Sequence, residues 1–216
     1  MAPGRRRLAG KAALCAIALV PLAWLIGAAC RGDLGANPIE KITHVTGDWA
    51  LRFLLFALAV TPLRRVLGWN WLIGYRRMLG LFAFFYALLH LATFTVLDHF
   101  FDWQEIVADV YKRPYVTAGM TSFLCLLPLA ITSTRGWIRR LGRRWTTLHR
   151  LAYAAAVAAA LHYWWLVKAD VRAPFRYVGV VAVLLLVRLF FLLDRQRTPE
   201  RVRKTVATPA TPDRIG

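Results

Sequence analysis

Residues 148–167 read LHRLAYAAAVAAALHYWWLV. From Leu151 to Val167 the run carries no formal charge, and its one ionisable imidazole is His162. Crossing the hydrocarbon core of a bilayer takes roughly 20 apolar residues in a helix, so the run from about Thr146 to Val167 reads as a membrane span. His149 stands near its start and His162 near its end. An ionisable side chain inside a span is costly and marks a functional site. A third histidine, His90, interrupts a similar run over 78–97.

The rest of the chain has the same texture. It is 58% hydrophobic, with a mean hydropathy of +0.47, well above a soluble domain. Further apolar runs cover 12–30, 49–63 with Arg52 inside, 115–134, and 177–193 with Arg188 inside. The expectation is an all-α integral membrane protein with six transmembrane helices. The six-helix domain is placed at 12–194, after a short N-terminal segment over 1–11. The polar, proline-containing tail over 195–216 reads as flexible.

The formal net charge of +18 raises the question of nucleic acid, but the distribution argues against it. With the N-terminus in the cytoplasm, 19 basic residues fall on cytoplasmic segments and 7 on the opposite side. Lys and Arg concentrate on cytoplasmic loops of membrane proteins, so both ends are expected inside, and no nucleic-acid partner is expected. Basic residues before an apolar run also describe a signal peptide, with Gly27-Ala28-Ala29-Cys30 as a cleavage-like sequence. The run is longer than a usual signal core, which favours a retained anchor. Cys15, Cys30 and Cys125 have no metal-binding spacing.

Histidine is a common axial ligand of haem iron. At 1.5 Å per residue, His90 sits ~18 Å up the third span and His162 ~24 Å up the fifth, both running outward. The two are expected to face each other in the outer half and hold one haem; helix bundles build cofactor sites between facing helices in this way. His149, ~5 Å up the same span, is the candidate ligand of a second, inner haem. Its opposite position is occupied by Arg76, whose guanidinium is almost always protonated and is a poor iron ligand. Arg76, Arg77, Arg150 and Arg52 are candidate partners for haem propionates, and Arg188 is expected to snorkel to the interface. The small residues 154–160 and Gly80 would let a macrocycle or a neighbouring helix approach closely. His44 and His99 fall in outer loops and read as exposed polar residues. Without metal, the histidines would serve as interhelical hydrogen-bonding groups. No internal repeat is evident.

The outer segments Asn37 to Glu40 and Ile42 to Leu51 add a second line of argument. So do Arg76 to Leu81, Tyr86 to His90, Lys112-Arg113-Pro114-Tyr115, Leu148 to Leu151, and Leu161-His162. Together, over about 34–168, they resemble the haem-binding membrane subunits of periplasmic methionine-sulfoxide reductase systems. These are the MsrQ or YedZ-like type of the ferric-reductase-like transmembrane superfamily, whose haem core would cover about 48–167 here. The resemblance implies a bacterial inner-membrane electron-transfer subunit rather than an enzyme in its own right. Electrons would enter from the quinol pool or a flavin, cross by b-type haem, and leave to a periplasmic molybdenum-cofactor reductase that repairs oxidised methionines. FMN is associated with the family, but no flavin motif stands in the sequence. The tail is expected to be too short for flavin and nicotinamide domains, so the donor would be another molecule. The alternatives are a stand-alone ferric-reductase-like or quinol-linked cytochrome, and a cofactor-free membrane scaffold or transporter.

Overall fold

The computed structural model describes residues 3–167 and 171–206. Among these residues the regular structure is all helical. Helix α1 (Pro3–Arg31) leads by a short turn to α2 (Pro38–Leu67), α3 (Ile73–Ala92) and a π-helical turn (Thr93–Asp98). Then follow α4 (Trp103–Lys112), α5 (Pro114–Ile131), α6 (Arg135–Leu141), α7 (Arg143–Leu148), α8 (Leu151–Leu166) and α9 (Arg172–Val206).

Among the described residues, four stretches are long and apolar enough to cross a membrane: 7–31, 70–98, 114–131 and 172–194. They correspond to the expected first, third, fourth and sixth spans. Helix α2, with Asp48 and Arg52 along its length, and α8, with 16 residues, are not among them. These two occupy the middle of the bundle. Phe53, Leu54 and Leu58 of α2 and Ala155 and Ala156 of α8 share one buried cluster with Ala18, Ala83, Tyr86 and Leu126. Leu51 and Leu55 of α2 join Ala160 of α8 and Val181 of α9 in a second.

Several boundaries differ from the sequence reading, each for a local reason. Asn37-Pro38 reads as a turn inside an outer loop over 31–47, but it opens α2. The Asn37 side chain accepts from the Glu40 N–H at 3.2 Å, and Pro38 takes the first helical position, where its missing N–H costs nothing. Thr43 and His44 therefore lie on a helix. Helix α2 ends at Gly68, whose φ of 71° closes it in the left-handed conformation. The expected fifth span is broken at His149-Arg150, so α7 and α8 are separate helices. Helix α7 is held by Trp145, whose indole Nε1–H donates to the Thr132 carbonyl at 3.0 Å.

The third span ends in the π-helical turn. There Thr93 and Thr95 hydroxyls donate to the carbonyls of Leu89 (2.9 Å) and Leu91 (3.0 Å). Such bonds to the preceding turn bend helices. Helix α9 continues as helix to Val206, where the flexible tail was expected; 1–2, 168–170 and 207–216 lie outside the described residues.

The alanines of α8 serve mainly helix packing. Ala155 and Ala156 are fully buried, and Ser122 of α5 donates its hydroxyl to the Ala155 carbonyl at 2.9 Å. Helix α1 is tied in by the buried Tyr86 hydroxyl, which donates to the Ala18 carbonyl at 2.7 Å. Replacing Tyr86 by Phe removes this bond between helices and is expected to cost about 1 kcal/mol. The measurement is the thermal unfolding midpoint in detergent; an unchanged midpoint would show that this bond does not hold α1.

Candidate functional site: a paired-histidine cavity

His90 comes from α3 and His162 from α8, and their ring centroids lie 5.9 Å apart with the planes at 80°. Each ring is held by the backbone of the neighbouring helix. His90 Nδ1 lies 2.9 Å from the Thr43 carbonyl oxygen of α2. His162 Nδ1 lies 2.6 Å from the Tyr115 carbonyl oxygen of α5. A carbonyl only accepts, so in both rings Nδ1 carries the proton and Nε2 keeps its lone pair. That is the tautomer of a histidine metal ligand with its second nitrogen anchored.

Both histidines line a cavity of about 310 Å³. Its wall is mostly apolar, with Leu51, Leu54, Ala87, Phe94, Met120 and Phe123 among the residues, and it carries His44, Asp48, Asp98 and Arg113 as polar groups. Two imidazoles bound to one metal through bonds of about 2 Å would place their centroids close to the separation seen. The donor set, the apolar wall and the spacing fit a bis-histidine haem.

The arrangement occurs twice. In each half, a carbonyl 47 residues before the histidine receives its Nδ1–H. One turn after that carbonyl stands a glycine, Gly47 or Gly119, against which the ring rests. The sequence shows no internal repeat, yet α2–α3 and α5–α8 present the same device. The signal lay in the spacing of Gly47 to His90 and Gly119 to His162, and a search for similarity of residue type does not see it. Gly80, expected to allow a close approach, faces no atom within 4 Å.

The other expected residues fall elsewhere. His149 sits at the α7–α8 break, stacked on Trp145 with centroids 3.9 Å apart, and its Nε2 is 3.3 Å from the Thr132 hydroxyl. Arg76 is close enough to act on it electrostatically. Arg77 and Arg150 are exposed. Arg52 donates to Asp48 at 3.2 Å and to the Tyr177 hydroxyl at 3.0 Å, so it is committed on α2 and α9. Arg188 lies over the Tyr153 ring at 4.5 Å. None of these line the cavity.

Arg113 does line it, and the sequence reading passed it over as a site residue. It bonds Asp109 at 3.1 Å and the Tyr115 hydroxyl at 3.3 Å. Asp109 also meets His99 Nε2 at 3.2 Å. His99 is therefore not an exposed loop residue: it is 7% exposed, with Nδ1 3.2 Å from the Phe94 carbonyl. His44 is exposed, as expected.

Residues 46–160 match the family model described as the ferric reductase like transmembrane component. A relative from Herminiimonas arsenicoxydans is 55% identical over 189 residues, covering 86% of this chain and 87% of its own. One from Rhodospirillum rubrum is 51% identical over 190 residues, covering 88% and 91%. One from Xanthomonas euvesicatoria pv. vesicatoria is 48% identical over 211 residues, covering 95% and 96%. Each relative is named as the haem-binding subunit MsrQ of a protein-methionine-sulfoxide reductase. This chain belongs to the MsrQ family. The transmembrane character of MsrQ's wider family agrees with the four apolar helices. No solved structure matches the chain.

The segment matched by the ferric reductase like family model contains both glycines, His90 and His149, and ends just before His162. The His99–Asp109–Arg113 cluster fixes α4 beside the cavity, which Asp98 and Arg113 help to line. In Asp109→Asn the buried charge that pairs with Arg113 and His99 is gone. The variant is expected to lose about 1.5 kcal/mol, the low end for a hydrogen bond to a charged group, because Arg113 is half exposed and stays solvated without its partner. Chemical denaturation in detergent measures this; wild-type stability would mean that the cluster does not anchor α4.

Proposed function

We propose that the chain is the transmembrane electron-transfer subunit of a methionine-sulfoxide reductase system, with the catalytic centre on its partner. The observation that carries this reading is the facing pair His90 and His162, each anchored through Nδ1 in an apolar cavity. Bound there, a b-type haem supplies a one-electron centre. His90 and His162 would hold its iron through their Nε2 lone pairs. The Thr43 and Tyr115 carbonyls hold the Nδ1 protons, and the apolar wall excludes water. Arg113, at the rim, offers a cation for a propionate and takes the place expected for Arg52.

The proposed topology is six spans with both termini in the cytoplasm, in a bacterial inner membrane. The inner concentration of Arg and Lys supports it. So does the pairing of the half-buried Asp48 and Arg52 with one another on α2. Quinol or a flavin such as FMN as the donor, and a periplasmic molybdenum-cofactor reductase as the acceptor, follow from the family. His149, beside Arg76, marks the place for a second haem on the inner side. The outer segments 31–47 and 98–114 are the proposed docking surface for the reductase.

An absorption spectrum of the purified protein in detergent tests the cofactor. A reduced low-spin haem spectrum is expected, and it should vanish in His90→Ala and in His162→Ala; a colourless wild-type protein after haem-replete expression would refute the reading. Haem per chain in wild type and His149→Ala decides the inner site: a loss of one haem assigns His149 to a second site, and an unchanged ratio leaves the outer haem alone. Co-purification with the reductase should be lost when both outer segments are altered; its survival would place docking elsewhere.

A further inference from the structure

We propose that Gly47 and Gly119 are positioning residues that fix the rotation of the two histidine rings, so that the imidazole planes are held crossed. This rests on the reading of His90 and His162 as an axial pair.

A Cβ added at Gly47 would lie 3.0 Å from both Nδ1 and Cε1 of His90. One added at Gly119 would lie 2.8 Å from Nδ1 and 3.0 Å from Cε1 of His162. In both cases the three nearest atoms all belong to the imidazole. The missing side chains therefore make room for the rings, and not for a neighbouring helix.

The contact is with the ring edge that carries the anchored nitrogen. Each glycine stands one turn beyond the carbonyl that receives the Nδ1–H, on the same helix face. The carbonyl chooses the nitrogen that is protonated. The bare Cα lets the ring lie flat enough against the helix for that bond to form, and so sets the angle about the Cβ–Cγ bond. The two helix pairs apply the same device to opposite ligands, and the rings meet at 80°.

The angle has an electronic consequence. Parallel imidazoles donate π density into one iron d orbital; crossed imidazoles donate into two orthogonal ones. Crossed rings leave those two orbitals near-degenerate, and a ferric low-spin centre then gives a highly anisotropic electron paramagnetic resonance signal.

The test uses the full-length, haem-loaded protein in detergent. Wild type is expected to show the highly anisotropic low-spin signal. Gly119→Ala, with the closest contact, is expected to lose it, either to a less anisotropic low-spin signal or to a high-spin one. Gly47→Ala should shift the signal in the same direction by less. Gly80→Ala, where the added methyl meets nothing within 4 Å, should match wild type in spectrum and haem content.

If Gly119→Ala does not fold, Gly47→Ala decides, because contacts at 3.0 Å are relieved by a small shift of the ring. A wild-type signal in Gly47→Ala and in any folded Gly119→Ala would overturn the proposal. So would a wild-type protein whose signal is that of parallel rings. His90→Ala and His162→Ala separate the two levels of the argument. If they lose haem while the glycine variants are unchanged, the axial pair stands and the role of the glycines falls. If they keep their haem, the axial pair itself is refuted.

Discussion

Two hydrogen bonds from histidine rings to backbone carbonyls organise this bundle. A carbonyl on one helix can hold a ring on the next only if the helices are close, and closeness requires a residue without a side chain at the point of contact. Gly47 and Gly119 supply that. The same bonds settle the tautomer, and with it the nitrogen that faces the cavity. Helix pairing, ring orientation and ligand chemistry are therefore one constraint met twice, once between α2 and α3 and once between α5 and α8.

Around this constraint the packing is arranged by helix character. The central helices tolerate polar groups because those groups have partners: Arg52 of α2 has Asp48 and Tyr177. The helices outside them expose apolar side chains such as Leu186, Leu189 and Phe190 of α9, as a lipid-facing surface should. Aromatic rings fill the space beside the histidine cavity. Phe53 stacks on Tyr86 at 5.5 Å and touches Trp49 and Phe82 at the same centroid distance.

Much of this was legible from the chain. The apolar runs locate the helices, and rise per residue brings His90 and His162 to compatible depths, because both follow from local pattern. What was not legible depends on contacts between distant segments. Asn37-Pro38 has the same composition whether it turns a loop or caps a helix, and only the cap bond to Glu40 decides. His99 is the loop residue it looks like, but not an exposed one, because α4 brings Asp109 against it. The break at His149-Arg150 has no proline or glycine to announce it; it follows from Trp145 and His149 docking on Thr132. The glycines were missed because their partners are 43 positions away on another helix, and Gly80, nearer to His90 in sequence, drew attention instead.

The lining of the cavity carries one more consequence. Leucine, phenylalanine and alanine side chains have little dipole to reorient, so a unit of charge arriving in this space is poorly screened. Coulomb energies that water would reduce about eighty-fold persist over many ångströms in such surroundings. The few charged groups on its wall, Asp48, Asp98 and Arg113, therefore act at long reach. The carboxylates oppose an added electron and the guanidinium favours it. A haem held here, as proposed, would have its ease of reduction set by these charges as well as by its ligands, and the Asp109 contact that holds Arg113 in place would be part of that setting.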